Sequence, residues 1–358
     1  MSPTEPDVLT LAEMLRYRRP HASASERKFI NRFIRPLGVT FDDYGNMWKR
    51  IGPAPSKVLW SAHTDSVHTK SGKQELVASQ CGKYIRLAKP AKGDCLGADN
   101  AAGVWMLREM ILAGVPGLYV FFRNEERGRV GSEHFAKHSS EVWKGCQAAI
   151  AFDRRDVASI ITHQMPGRTC SDAFAQSLAK ALDLGHQLDD GGTYTDTASF
   201  YDVIAECTNV SAGFDWEHSA REELDWQYLV SLRNAMLGLE LGDLVIERDP
   251  HDCEDMFSRY HDRRFDSWFG KRQYQSQFDA DEIWNNDDDE ADDDEGYTCA
   301  NMRELICKYP EFVADILEQC GYTAESLAEG IDQISGYTTF ASPRTRLVKA
   351  SVSDLKGV

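Results

Sequence analysis

The sequence predicts an α/β fold: a mixed, mostly parallel central sheet sandwiched by helices, followed by a small α-helical C-terminal appendage. Three observations carry that expectation. Short apolar runs alternate with helical patterns along the first two thirds of the chain. The runs are apolar on both faces, as strands covered by helices on each side must be. Beyond residue 248 the character of the chain changes.

Residues 8–16 and 24–37 read as amphipathic helices. The second opens on Ser23-Ala24-Ser25-Glu26, a capping-box pattern, and places Phe29, Ile30, Phe33 and Ile34 on one face. Strands follow at "KVLWSAH" (57–63), "LYVFFRN" (118–124), "AAIAFD" (148–153), "ASIITH" (158–163) and "VIAECTNV" (203–210), each rich in β-branched, aromatic or small apolar residues. Helical patterns at 101–113, 171–183 and 226–241 lie among them. Residues 249–275 then mix aromatics with Arg, Lys and Asp without a clear period. Residues 279–295 carry 11 carboxylates and no base, and 300–334 again read as short amphipathic helices. The expected organisation is a core domain over 1–248, a charged, acidic and solvated linker over 249–296, and a small helical region over 297–358.

A hydrophobic content of 42% in 358 residues is ample for a buried core. The formal charge of −17 disfavours phosphate backbones and anionic membrane surfaces, so neither nucleic acid nor membrane is an expected partner. A basic cluster at 258–273 could contact nucleic acid, but is expected rather to pair with the acidic run or a protein partner. Nine cysteines without a CxxC spacing point to free thiols in a reducing compartment. With no signal-peptide pattern and no run approaching 18 apolar residues, the expectation is a soluble, cytoplasmic protein.

Several imidazoles and carboxylates stand just beyond the C-terminal ends of the expected strands: His63 and Asp65, Glu125 and Glu126, Asp153, and His218. That edge of an open α/β sheet is where ligands bind. Singly, an Asp at a strand end is an ordinary helix cap or solvated turn. As a set, two His and several carboxylates without a thiolate suit Zn²⁺, with Mn²⁺ or Co²⁺ as alternatives. In "LGADNAAG" (96–103) Asp99 adds a carboxylate whose two oxygens can bridge two ions, as a two-metal hydrolase requires. Glu125 and Glu126, neighbours in an extended segment, are expected to point apart and hold separate tasks.

Together, His63-Thr64-Asp65, "GADNAAG" (97–103), "EERGRVGS" (125–132), Asp153 and His218 resemble the co-catalytic zinc exopeptidases, the M28 aminopeptidases and their M20 and M42 relatives. "DDYGN" (42–46) resembles the turn that precedes the first ligand strand in that group. The resemblance spans about 8–240. It implies a zinc-exopeptidase, phosphorylase/hydrolase-like fold for the 1–248 domain, with Asp99 bridging two zinc ions. One ion is also held by His63 and Asp153, the other by Glu126 and His218. It further implies that Asp65 fixes the His63 tautomer and that Glu125 is the general base. Asp196, in "TYTDTASF" (193–200), is the implied anchor for a substrate amine.

The spacing of 65 residues from Asp153 to His218 leaves no room for the lid domain of the M20 branch, and the spacing of 36 from His63 to Asp99 is too short for the extra β-domain of the M42 branch. A compact M28-like core fits. Departures from the family pattern are Thr197 in place of a His, Asn100 in place of the second Asp of a pair, and no Pro after His218-Ser219. The implied activity is metal-dependent release of N-terminal residues from peptides. Deacylation of an N-acyl amino acid or dipeptide hydrolysis would use the same site on a small amide, and glutaminyl cyclisation would use one zinc. A catalytically inactive binding protein with this fold is the alternative of another class, against which Glu125 and five intact ligand positions weigh. The C-terminal helical region is the expected surface for homo-oligomer or partner contacts.

Overall fold

The computed structural model describes residues 6–251, apart from 92, 93 and 166. The linker expected beyond 251, the basic segment 258–273 and the helical region 297–358 lie outside the described residues.

Eight strands form the central sheet: β1 Thr40–Phe41, β2 Met47–Ile51, β3 Val58–His63, β4 Gly117–Phe122, β5 Ala148–Arg154, β6 Ser159–Ile161, β7 Gln187–Asp189 and β8 Glu206–Ser211. Their order across the sheet is β7-β6-β8-β5-β3-β4-β2-β1. The middle four, β8, β5, β3 and β4, run parallel to one another, β2 runs antiparallel to β4, and β6 antiparallel to β8. The sheet is therefore mixed with a parallel heart, as its doubly apolar strands predict.

Helices cover both faces. On one side lies α3 (Ala98–Ala113), packed over β3 and β5 and flanked by α1 (Val8–Leu15) and α7 (Trp226–Leu237), with α6 (Asp172–Leu182) beside α7. Gly103 lets α3 approach so closely: a Cβ there would stand 2.5 Å from the Phe152 carbonyl oxygen. On the other side α4 (Val130–His138) and α5 (Ser140–Trp143) cover Leu59, Leu118, Val120 and Phe122, and Phe135 of α4 meets Phe122 edge to face at 5.8 Å. Alternate residues of the same strands serve the opposite face, where Trp60 stacks on Phe152. Burying each such aromatic is worth about 1.5–3 kcal/mol.

Three local features differ from the sequence reading or were absent from it. The pattern at 24–37 is an α-helix only over α2 (Ala24–Phe29). It loosens into a π turn at Ile30–Ile34 and tightens into a 3₁₀ turn at Arg35–Leu37, where Pro36 has no N–H to continue the helical hydrogen bonding. Residues 130–138 form a helix that the glycine-broken sequence concealed. Within the stretch between His63 and Asp99, Leu76–Ala78 and Tyr84–Leu87 join Glu223–Asp225 and Phe214–Asp215 in a small four-stranded sheet.

Candidate metal centre

Parallel pairing aligns the first two donors. β3 and β5 keep a constant register from Val58↔Ala148 to Ser61↔Ala151, and the same offset brings His63 level with Asp153 at the sheet's C-terminal edge. Asp99 arrives from the opposite connection, at the start of α3, where Asp99 and Asn100 depart from helical geometry before the regular turns begin. Buried Glu222 holds it there, accepting the N–H groups of Gly97 (2.9 Å) and Asp99 (3.1 Å). Burial, with Asp99 adding, pushes the Glu222 carboxyl up to about 8.

The paired glutamates sit in a 3₁₀ turn, Glu125–Arg127, rather than in extended chain. Asn124, with φ of 65°, folds the chain out of β4 into that turn. Divergence survives the change, because successive side chains of a 3₁₀ turn lie about 120° apart. Glu126 Oε2 stands 3.1 Å from His218 Nε2, while Glu125 Oε2 stands 3.9 Å from His63 Nε2. The Asp42–Asn46 turn braces the far side of this segment: Asp42 Oδ1 accepts the N–H of Tyr44 and Asn46, and Asn46 binds the Arg123 N–H and the Gly131 carbonyl. His218 lies in the connection between Phe214–Asp215 and Glu223–Asp225, two antiparallel strands of the small sheet, with φ of 59°.

These placements make two clusters that share one residue. His63 Nε2 is 3.0 Å from Asp99 Oδ1 and 3.2 Å from Asp153 Oδ1; His218 Nε2 is 3.1 Å from Asp99 Oδ2 and 3.1 Å from Glu126 Oε2. Each set has ligand atoms close enough to hold one metal ion. His63 Nε2, Asp99 Oδ1, Asp153 Oδ1 and Glu126 Oε1 are buried without a hydrogen-bond partner, a costly state for donors and acceptors that nothing else satisfies. Their separations are close to the ~3.3 Å edge of a tetrahedron with bonds of about 2.0–2.1 Å. The residues present thus fit divalent cations.

The electrostatics agree. Burial, reinforced by neighbouring carboxylates, raises Glu125 well above the ordinary carboxylate range and Glu126 to about 7. Hydrogen bonds to Asp99 and Glu126 raise His218 to about 11. An imidazolium there supplies the positive charge that the carboxylates demand, which is the charge a bound cation replaces.

Two other predicted residues are placed differently. The Asp65 carboxylate is 3.6 Å from His63 Nδ1, whose nearer neighbour is the Asp65 backbone oxygen at 3.2 Å; Asp65 Oδ1 instead accepts the Glu125 N–H at 3.1 Å. Asp65 therefore links the β3 end to the glutamate turn. Asp196 is only 1% exposed and does not line the cleft; burial raises its carboxyl to about 7.

Other contributors were not singled out from sequence. Thr195 donates to Asp153 Oδ2 at 2.7 Å, and Asn209 Oδ1 accepts the Asp153 N–H at 2.8 Å. Asn209 stands near the end of the strand pattern "VIAECTNV", an amide in a stretch that is otherwise mostly apolar, which was the one signal available. Glu222 lies in "SAREELD", where nothing in the sequence sets it apart from Glu223. A cleft of about 220 Å³ opens over Asp99, Glu125, Asp153 and His218, walled in part by Ile161, Tyr194 and Phe214.

Among solved structures, the chain resembles PhTET1-12s, described as a dodecamer in the asymmetric unit, at 17% identity and a TM-score of 0.52, covering 66% of this chain and 100% of that one. It also resembles aminopeptidase PepT from Bacillus cereus at 13% identity and a TM-score of 0.51, covering 64% of this chain and 96% of that one. A tripeptidase from Staphylococcus aureus matches at 12% identity and a TM-score of 0.52, with the same shares of 64% and 96%. Such distant likenesses establish a shared fold. No curated protein sequence matches the chain. The family model for peptidase family M28 matches residues 46–225, half of the chain, from the turn that braces the glutamate segment to the far side of His218. On the strength of that match the chain belongs to peptidase family M28 and is a metal-dependent hydrolase of peptide bonds.

Proposed function

We propose that the chain is a two-zinc aminopeptidase that releases N-terminal residues from peptides, with His63, Asp99 and Asp153 holding one ion and Asp99, Glu126 and His218 the other. The observation that carries this reading is the pair of clusters meeting at Asp99, which turns one oxygen to each imidazole. Two ions held there supply Lewis acidity at a substrate carbonyl and an activated water.

The chain's own residues do the rest. Asp99, fixed through its backbone by Glu222, sets the spacing of the two clusters. Thr195 and Asn209 orient Asp153, and Asp65 anchors the turn that presents Glu125. Glu125 lines the cleft and stands 3.9 Å from His63 Nε2 without belonging to either cluster, the position a proton acceptor needs. Its raised affinity for a proton lets it take one from the attacking water and return it to the leaving amine. Glutaminyl cyclisation on one zinc would leave the second cluster without a task. Cytoplasmic residence, and self-assembly or partner contacts through residues 297–358, belong to the same proposal. Among the described residues no helix is long and apolar enough to cross a membrane.

The test combines metal analysis with hydrolysis of an aminoacyl-nitroanilide panel, comparing wild type with Glu125→Gln. Near-stoichiometric binding of two ions, with turnover lost in a metal-replete variant, is the expected result. A metal-loaded wild type inert toward every member would refute the reading.

A further inference from the structure

Beside the carboxylates of the candidate centre, the cleft carries two guanidiniums, Arg154 and Arg155, directly after Asp153. Cations beside a site for divalent metal ions are repelled by those ions, so holding metal does not explain them. Arg154 Nη2 binds Asp189 Oδ2 on β7 at 2.9 Å, which ties β5 across the sheet and steadies the group. That strut does not account for the whole side chain: Arg154 Nε is buried and has no acceptor. Arg155 is more loosely held, with Nη1 3.4 Å from Glu217 Oε1 and a side chain 53% exposed. An anchored fork and a more exposed one therefore share a cleft of about 220 Å³, a volume suited to a single residue or a very short peptide.

The group that matches such a pair is a carboxylate, which accepts from a guanidinium fork in parallel bonds. We propose that the cleft selects substrates bearing a carboxylate close to the scissile bond, gripped by Arg154 and Arg155 while the carbonyl lies over Asp99. This rests on the peptidase reading above. The carboxylate has two sources, an acidic side chain on the residue released or the free C-terminus of a di- or tripeptide. Both present the same planar anion to the same wall.

Zinc-loaded protein would be assayed on matched pairs: glutamyl- against glutaminyl-nitroanilide for the side chain, and alanyl-glycine against its C-terminal amide for the terminus. In one of the two pairs the acid is expected to exceed its neutral partner in kcat/KM by about tenfold to a hundredfold. Arg154→Ala and Arg155→Ala should each lower that ratio, and the double variant should bring it close to one. Because each ratio is taken within one protein preparation, a general loss of rate in a damaged variant cancels. Arg155→Ala, at an exposed position, keeps the test open if Arg154→Ala fails to fold. Ratios near one in both pairs for an active wild type, or a preference intact in the double variant, would overturn the proposal and leave the peptidase reading standing. Failure to cleave any member would overturn both.

Discussion

The two halves of the proposed metal centre share Asp99 and differ in how they are held. His63 and Asp153 end adjacent parallel strands, with side chains 1% and 6% exposed, and Thr195 and Asn209 fasten Asp153 from behind. Glu126 comes from a 3₁₀ turn, and His218 from a connection in the small sheet with its side chain 48% exposed. A sheet edge positions its donors through backbone hydrogen bonds on both sides, whereas a surface connection depends on few contacts and water reaches it. The His63 half should therefore hold its ion longer, and the His218 half should be the one that exchanges.

The largest effect is expected where the halves meet. Asp99→Ala removes an oxygen from each cluster, so elemental analysis should find less than one ion per chain and turnover should disappear. A variant that kept both ions would break the bridge. Next comes Glu125→Gln, which should lower kcat by about 10²–10⁴-fold while leaving the metal content unchanged. Coincident loss of metal would place Glu125 among the ligands instead.

Two substitutions separate the halves. In the metal-free protein, His63→Ala strands buried carboxylates and should cost about 3 kcal/mol in chemical denaturation. His218→Ala, at a half-exposed site, should leave the melt nearly unchanged and lose one ion of two. Equal behaviour of the two variants would erase the contrast. A subtler probe is Thr195→Val, which takes a hydroxyl from Asp153 Oδ2 and should weaken the His63 site alone by about tenfold, as read by competition with a chelator.

The smallest effect is on pH dependence. Glu126, Asp196 and Glu222 are raised to about 7, 7 and 8, mainly by burial, and His218 to about 11 by its carboxylate partners. Between pH 5 and 8 the folded, metal-free chain therefore binds more protons than the unfolded one, so its stability should fall as pH rises through that window. Added Zn²⁺ should flatten or reverse the slope. A metal-free melting temperature that rises from pH 5 to pH 8 would contradict these assignments.

Much of this was legible in the chain. Doubly apolar runs marked the parallel strands, because a strand buried on both faces has no polar side to show. His63, Glu126 and Asp153 stood out because each lies within a few residues of such a run, and Asp99 because glycines flank it in "GADNAAG". Thr195, Asn209 and Glu222 were not, since a polar side chain near a strand end looks the same whether it faces water or a neighbour's backbone. Arg154 and Arg155 were equally silent: only the fold shows that they and the metal-type donors share one cleft.

Sequence alone determined five of the eight strands of the central sheet, most of the helices between them, and the inventory of imidazoles and carboxylates, because these follow from local periodicity and residue type. Tertiary structure decided which of them meet. The level register of His63 with Asp153, the turn of Asp99 toward both imidazoles and the departure of Asp196 from the cleft all depend on how separate segments pack. Glu125 and Glu126 illustrate the division: their adjacency is written in the chain, but the different neighbours they face are set by strands and loops up to 92 residues away, at His218.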